Sequence, residues 1–208
     1  FLFNNGGVSQ RAEVIETAID VDRKMFEINF FGNIYLSDEL AGRAIKYSVF
    51  SFFQVNLDVF EVALSEINEF VGDKPVVDMY SGVGTIGLSL KNPKKLVELD
   101  LENIEMARQN LEGEKPQIIH ASSEKAVNEI EPDMVLIVDP PRAGLHKELI
   151  AAILEKKPPI LVYLSCNPST QARDLEYLSE SYKIKKITGY NFFPRTPHIE
   201  SLVILSIV

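Results

Sequence analysis

From Pro75 to Ser179, short apolar runs and helical patterns take turns along the chain, and this alternation restricts the fold more than any other feature. Apolar runs at residues 75–80, 95–98, 117–120, 133–138 and 160–164 read as strands. Helices are predicted at residues 85–90, 100–111, 122–130, 146–154 and 168–179. Strict alternation of this kind implies parallel strands, right-handed crossovers and helices on both faces of a sheet. The ending departs from it. Residues 183–193 and 201–208 both read as strands, and only the loop 194–200 joins them, so they must pair antiparallel. The expected architecture is α/β and Rossmann-like, a mostly parallel seven-stranded sheet finishing in one antiparallel hairpin.

The preceding stretch is different. Residues 1–53 read as β-rich, with rough alternation at 13–21 and 24–31 and turn signals at Gly32-Asn33 and Ser37-Asp38. A helix is predicted over residues 54–70. Val55, Val59, Val62, Ala63, Ile67 and Phe70 fall on one face at three- and four-residue steps, and Gly72 closes it. The chain opens at Phe1 without Met, and the expectation is a piece of a longer protein.

With 208 residues, 46% of them hydrophobic, the chain can build one real core. No apolar run reaches the roughly 18 residues a membrane helix needs, and no secretory signal is visible, so a cytoplasmic protein without membrane contact is expected. Cys166 is the single cysteine, which excludes an internal disulfide and an all-cysteine metal site. The net charge of −9 argues against broad nucleic-acid binding, but the charge is uneven. Residues 142–208 carry nine Lys/Arg against six Asp/Glu, a net of +3, which leaves −12 for residues 1–141.

Three loops follow strands on what must be one edge of the sheet. Gly82, Gly84 and Gly87 form G-x-G-x-x-G between a strand and a helix, where glycine permits a tight turn and close approach of the backbone to a ligand. Glu98, with Asp100 as a competitor, stands at the end of the next strand, where an acid binds ribose hydroxyls. Together they indicate an adenosine-containing ligand without separating a nicotinamide cofactor from S-adenosylmethionine. Asp139-Pro140-Pro141-Arg142 is a stiff loop after the fourth strand, able to hold a carboxylate or a flat base in place. Ser165-Cys166-Asn167-Pro168 follows the fifth. Its thiol is either a small buried hydrophobe or a nucleophile.

Four blocks make the pattern specific: SFFQVN at 51–56, DMYSGVGTIGL at 78–88, DPPRAGL at 139–145, and LSCNPST with FPRTPHIES toward the end. In this order they resemble the RNA uracil-5 methyltransferases, the family that makes 5-methyluridine in ribosomal and transfer RNA. The resemblance covers about residues 45–208. It implies a class I methyltransferase domain over 54–208, with residues 1–53 the remnant of a central or RNA-binding domain. It also implies that Gln54, Tyr80, Glu98 and Asp139 contact S-adenosylmethionine, that Cys166 is the nucleophile and that Glu200 is the general base. Thr85 stands where some relatives have Asn as a further ligand. Members often carry an N-terminal RNA-binding barrel, and many bacterial ones a four-cysteine iron–sulfur site. With one cysteine, no iron–sulfur cluster is expected in this chain. A monomer acting on RNA is expected, with large-subunit ribosomal RNA favoured over transfer RNA.

The chemistry accounts for these residue types. Carbon 5 of uracil is a poor nucleophile, and a thiolate added at carbon 6 makes it an enolate carbon able to attack a sulfonium methyl. A base must then remove the carbon-5 proton so that the thiolate can leave, a task within reach of Glu200 if the terminal hairpin folds over the site. The helix predicted from Pro168 can assist the thiol through its positive end. Arg142, Arg195 and the pair Phe192-Phe193 are candidates for holding RNA or a splayed base. His198 is expected to shape the loop. Three rivals stand beside this reading: methylation of an exocyclic base nitrogen, an oxidoreductase using NAD through the glycine loop, and a non-catalytic RNA-binding relic.

Overall fold

The computed structural model describes residues 35–208 apart from 112, 114 and 115. It opens with β1 (Tyr35–Leu40) and β2 (Arg43–Ser48), paired antiparallel from Tyr35↔Ser48 to Leu40↔Arg43. Ala41 and Gly42 turn between them at φ +51° and +75°, the left-handed pair that a two-residue hairpin loop demands. The turn expected at Ser37-Asp38 is thereby corrected. Both residues lie within β1, and Asp38 accepts a hydrogen bond from the Tyr47 hydroxyl. The strands expected at 13–21 and 24–31 fall outside the described residues.

Asn110, Arg43 and Glu61 dock this small sheet through side-chain hydrogen bonds. Asn110, 3% exposed, accepts from the Lys46 N–H at 2.8 Å and donates to the Lys46 carbonyl at 2.9 Å, as a neighbouring strand would. The same amide donates to the Val83 carbonyl at 2.9 Å. Leu40 and Ile45 bury completely in the core beneath.

Helix α1 (Leu57–Val71) starts three residues later than its apolar spacing predicts, because Asn56 caps it and accepts from the Val59 N–H at 3.4 Å. Its inward stripe is Phe60, Ala63, Leu64, Ile67 and Val71. Val55 and Val62, expected on that stripe, are 73% and 58% exposed. Gln54 therefore sits in the loop before the helix.

The rest alternates as expected: β3 (Val76–Asp78), α2 (Thr85–Leu88), β4 (Pro93–Glu98), α3 (Leu101–Gln109), β5 (Gln117–His120), β6 (Val135–Val138), α4 (Lys147–Lys156), β7 (Ile160–Ser165), α5 (Pro168–Leu178), β8 (Tyr182–Tyr190) and β9 (Glu200–Ile207). One crossover is a correction. In place of a helix at 122–130 there is a turn and a single 3₁₀ turn, Val127–Glu129. The Ser123 hydroxyl is committed to the Tyr80 hydroxyl instead, and Pro132 disfavours helical extension beyond.

The seven strands run in the order β5-β4-β3-β6-β7-β9-β8, all neighbours parallel except the β7–β9 and β9–β8 pairs. Chain direction across the sheet reverses between β3 and β6, so their carboxyl ends open a crevice of the kind where α/β folds bind ligands. One core lies between the sheet and α1, α2 and α3, and a second between the sheet and α4 and α5. Strand β9 enters between β7 and β8 with Ser165 opposite Ser201. One further step along that register brings Cys166 alongside Glu200.

Candidate active site

Asp78 ends β3, fully buried, and its carboxylate accepts from the Tyr80 N–H at 3.4 Å and the Gly87 N–H at 3.0 Å. These contacts fold the glycine loop back over the strand end. Gly82 holds φ +54°, and a Cβ there would meet nothing within 4 Å, so the loop presents bare backbone to open space. Gly84, at φ +91°, serves another end. A Cβ would lie 2.7 Å from Leu88 Cδ1, so this glycine makes room for packing, and it does not line the cavity.

Across the crevice, Glu98 fixes the loop. Its carboxylate accepts from Gly82 N–H at 2.8 Å, Leu99 N–H at 2.9 Å and Asp100 N–H at 2.8 Å. A carboxylate has about four acceptor positions, so capacity remains for a ligand hydroxyl. Asp100, its competitor, is spent as the cap of α3, accepting from Glu102 and Asn103 N–H.

Gln54, Tyr80, Gly82, Thr85, Glu98 and Asp139 line one cavity of about 220 Å³. Tyr80 and Glu98 also line a larger space of about 920 Å³ bounded by Leu99, residues 121–124 and the inner faces of α4 and α5. Gln54 is 7% exposed and its Oε1 has no hydrogen-bond partner. An unpaired buried acceptor costs about 1–3 kcal/mol, which a donor group on a ligand would recover. An open glycine backbone, a carboxylate with capacity for a hydroxyl and an orphan amide oxygen fit the amino-acid and ribose portions of S-adenosylmethionine.

Cys166 is half-buried and shares a cavity of about 390 Å³ with Arg142, Asn167, Pro168, Pro197, His198 and Ile199. Glu200 is 3% exposed and opens β9, which starts one residue earlier than the 201 expected, so Glu200 lies in the strand and not in the loop.

Electrostatics ties these groups together. Burial pushes the Asp139 carboxyl well above its ordinary range, and Glu200 and Asp78 add to the rise. Burial raises Asp78 to about 7. Burial also raises Glu200, opposed by Arg142. The Cys166 thiol is raised by burial and then by Glu200 and Asp139, against the pull of Arg142. These influences together raise the thiol, against the direction in which the positive end of α5 was expected to act. Asp139 and Cys166 are both raised by Glu200, and a cation bound beside them would oppose that rise.

The RNA-holding side chains separate. Phe192 is fully buried, edge-on to Phe60 at 5.6 Å between ring centres, and is not free to stack on a base. Exposing such a ring would forfeit about 1.5–3 kcal/mol. Phe193 is half-buried against the same core, Arg195 is exposed in the hairpin loop at φ +70°, and Arg142 borders the thiol cavity. His198 lines that cavity too.

Sequence reasoning gave no role to Asp78, although an acid at a strand end directly before the glycine loop was the available signal. It also passed over Ser123, whose hydroxyl donates to Tyr80 Oη at 2.7 Å, and the side chains of α5 that hold Arg142.

The sheet order and the crevice define a class I methyltransferase fold. The chain is similar to the Pyrococcus abyssi tRNA (uracil-54, C5)-methyltransferase solved with S-adenosyl-L-homocysteine, at TM-score 0.72 and 36% identity over 82% of this chain and 44% of that one. An M. jannaschii tRNA m1G37 methyltransferase shares the fold alone, at TM-score 0.63 and 15% identity over 83% of this chain and 56% of that one. The chain belongs to the tRNA (uracil-5-)-methyltransferase family, whose profile matches residues 27–208. A Pyrococcus horikoshii tRNA (uracil(54)-C(5))-methyltransferase is 42% identical over 153 residues, covering 72% of this chain and 37% of the relative. An uncharacterised RNA methyltransferase of Mycoplasma mobile is 36% identical over 180 residues, 83% of this chain and 50% of the relative. The chain thus spans half or less of the length of these curated relatives. No helix among the described residues is long and apolar enough to cross a membrane.

Proposed function

We propose that this chain carries the catalytic domain of an enzyme that methylates carbon 5 of a uridine in RNA, using S-adenosylmethionine. The observation that carries the reading is the β7–β9 register, which brings Cys166 beside Glu200 on the edge that also holds Asp139 and the unpartnered Gln54 Oε1. Gln54, Gly82, Glu98 and Asp139 would hold the donor, with its adenosine end toward Leu99 and residues 121–123. When bound, the donor supplies an electrophilic methyl on a sulfonium.

The chain's residues do the rest. The Cys166 thiolate adds to carbon 6 of the uracil, and the electron pair displaced onto the ring makes carbon 5 nucleophilic. Once carbon 5 carries the methyl group, Glu200 takes the proton from it, the ring double bond re-forms and the thiolate leaves. Burial keeps Glu200 basic enough for that transfer, while Arg142 limits the rise and touches the thiol as well. The uridine must leave its stack to enter, and the basic surface of residues 142–208 is suited to the RNA backbone.

The domain reading of residues 1–53 as part of an RNA-binding region belongs to this proposal. So does the substrate. The Pyrococcus horikoshii and Pyrococcus abyssi relatives are named for uracil 54 of transfer RNA, so transfer RNA is the first substrate to test, ahead of the ribosomal RNA favoured from sequence. The test is incubation with 5-fluorouridine transfer RNA and S-adenosylmethionine, followed by denaturing electrophoresis. A covalent protein–RNA band is expected that needs the donor and vanishes in Cys166→Ala. Methyl transfer at full rate by Cys166→Ala would overturn the mechanism and favour exocyclic-nitrogen chemistry.

A further inference from the structure

The loop after β6 is held by one face of α5 through a continuous set of contacts. The Arg142 carbonyl accepts from Asn167 Nδ2 at 3.0 Å and from the Thr170 hydroxyl at 3.1 Å. The Ala143 carbonyl accepts from an Arg173 guanidinium nitrogen at 2.9 Å. At Gly144, φ is +82° and a Cβ would fall 2.5 Å from Asp174 Oδ2, so the backbone lies directly on the helix. The Leu145 N–H donates to that same oxygen at 2.7 Å, and the Tyr163 hydroxyl donates to it at 2.8 Å. Asp174 is fully buried.

Thr170 has a special place in this set. Its hydroxyl lies 3.1 Å from the Arg142 carbonyl and 3.1 Å from the Asn167 carbonyl. One proton serves one carbonyl at a time, so the hydroxyl sits between the acid loop and the thiol loop. The Asn167 peptide adjoins Cys166, and Arg142, Cys166, Asn167 and Pro168 border one cavity. We propose that Thr170, together with Asn167, is a positioning residue for the nucleophile: it pins the Arg142 backbone to the start of α5 so that the guanidinium stays against the Cys166 thiol. The catalytic meaning of this rests on the function proposed above, but the geometry stands without it.

The charged groups facing the thiol are few. Arg142 favours the thiolate, whereas Glu200 and Asp139 oppose it. His198 shares the cavity. Arg142 is thus the one cation acting directly on the thiol among these, and an Arg142 free to swing out would leave two acids in control. Loosening its backbone anchor shifts that balance toward the thiol form.

The test exploits Cys166 being the only cysteine of the chain. The alkylation rate of the whole chain by iodoacetamide is followed against pH, without RNA or donor. In Thr170→Val, which keeps the shape and removes the hydroxyl, the midpoint is expected to rise by about 0.5 pH. Alkylation well below the midpoint then slows about threefold, in step with the thiolate fraction. Thr170→Ser restores the parent profile, Thr170→Ala moves it as valine does, and Arg142→Met moves it at least as far. A merely structural threonine would lower the melting temperature and leave the profile in place. Superimposable profiles for the parent, Thr170→Val and Thr170→Ala would overturn the proposal, and so would an unmoved profile in Arg142→Met. Failure of the 5-fluorouridine adduct would count against the proposed function and leave this result standing.

Discussion

Asp78→Asn is expected to change how the stability of this chain responds to pH. The Asp78 carboxylate is fully buried, with only the Tyr80 and Gly87 N–H groups as partners and Glu98 repelling it. Its value rises from an ordinary 3.8 to about 7 in the folded chain. Below 3.8 the group is protonated in both states and costs nothing. As pH climbs from there, the unfolded chain ionises freely while the folded one does not, so stability is lost progressively until pH passes 7. At about 1.36 kcal/mol for each pH unit, the window amounts to about 4 kcal/mol, of which about 2.5 kcal/mol falls between pH 5 and pH 8. An asparagine cannot ionise. It keeps one acceptor oxygen and loses the other, a cost of about 1–2 kcal/mol independent of pH. Urea unfolding at both pH values should therefore show Asp78→Asn gaining about 2.5 kcal/mol on the parent as pH rises from 5 to 8. A difference between the two proteins that is the same at both pH values would refute the assignment of a neutral, proton-holding Asp78.

Other outcomes follow from the same geometry. Gln54→Ala should weaken S-adenosylhomocysteine binding by about 5- to 30-fold in calorimetry, the worth of about 1–2 kcal/mol for a satisfied buried acceptor. Burial raises Asp139, Glu200 and Cys166 above their ordinary ranges, and neighbouring acids add to the rise of Asp139 and Cys166, so a cationic donor bound beside them should favour the loss of protons on binding. Affinity for S-adenosylmethionine should thus rise relative to neutral S-adenosylhomocysteine as pH increases from 6 to 8, and calorimetry in buffers of different ionisation heat would record the released protons. Glu200→Gln, which can accept no proton, should accumulate a covalent RNA adduct visible on denaturing gels with ordinary uridine substrate. Gly87→Ala places a Cβ 2.5 Å from Leu96 Cδ2 and 3.1 Å from Asp78 Oδ2, and should destabilise the fold by about 1–3 kcal/mol in thermal melts.

The parallel half of the fold was legible because its signal is local. Strands β3, β6 and β7 are short apolar runs, and the glycine loop after β3 and the prolines after β6 and β7 mark the edge where they end. The site was legible to the extent that those edges converge: Gln54, Tyr80, Gly82, Glu98 and Asp139 meet around one cavity as the motif order implied. What escaped notice depends on partners far along the chain. Nothing in the local pattern tells a stacking Phe192 from one buried against Phe60, or a ligand-facing Gly84 from one that accommodates Leu88. The crossover at 122–130 misled for a related reason. Its charged and apolar residues suit a helix, yet Ser123 at its start is committed to Tyr80, 43 residues away. The contact of Thr170 with Arg142 spans 28 residues and involves a carbonyl, which carries no sequence signature at all.

The place of β9 in the sheet sets an order of events in the life of the molecule. Cys166 is made and can dock with the parallel strands before Glu200 exists, since β9 must thread in between β7 and β8 after both have been synthesised or while β8 pairs with it. Pairings of this sequence separation form late in folding. On the proposed mechanism, the nascent chain would own a nucleophile without the base that releases it, and any uracil captured at that stage would stay attached. Insertion of one strand would then turn a potential trap for RNA into an enzyme that can let its product go.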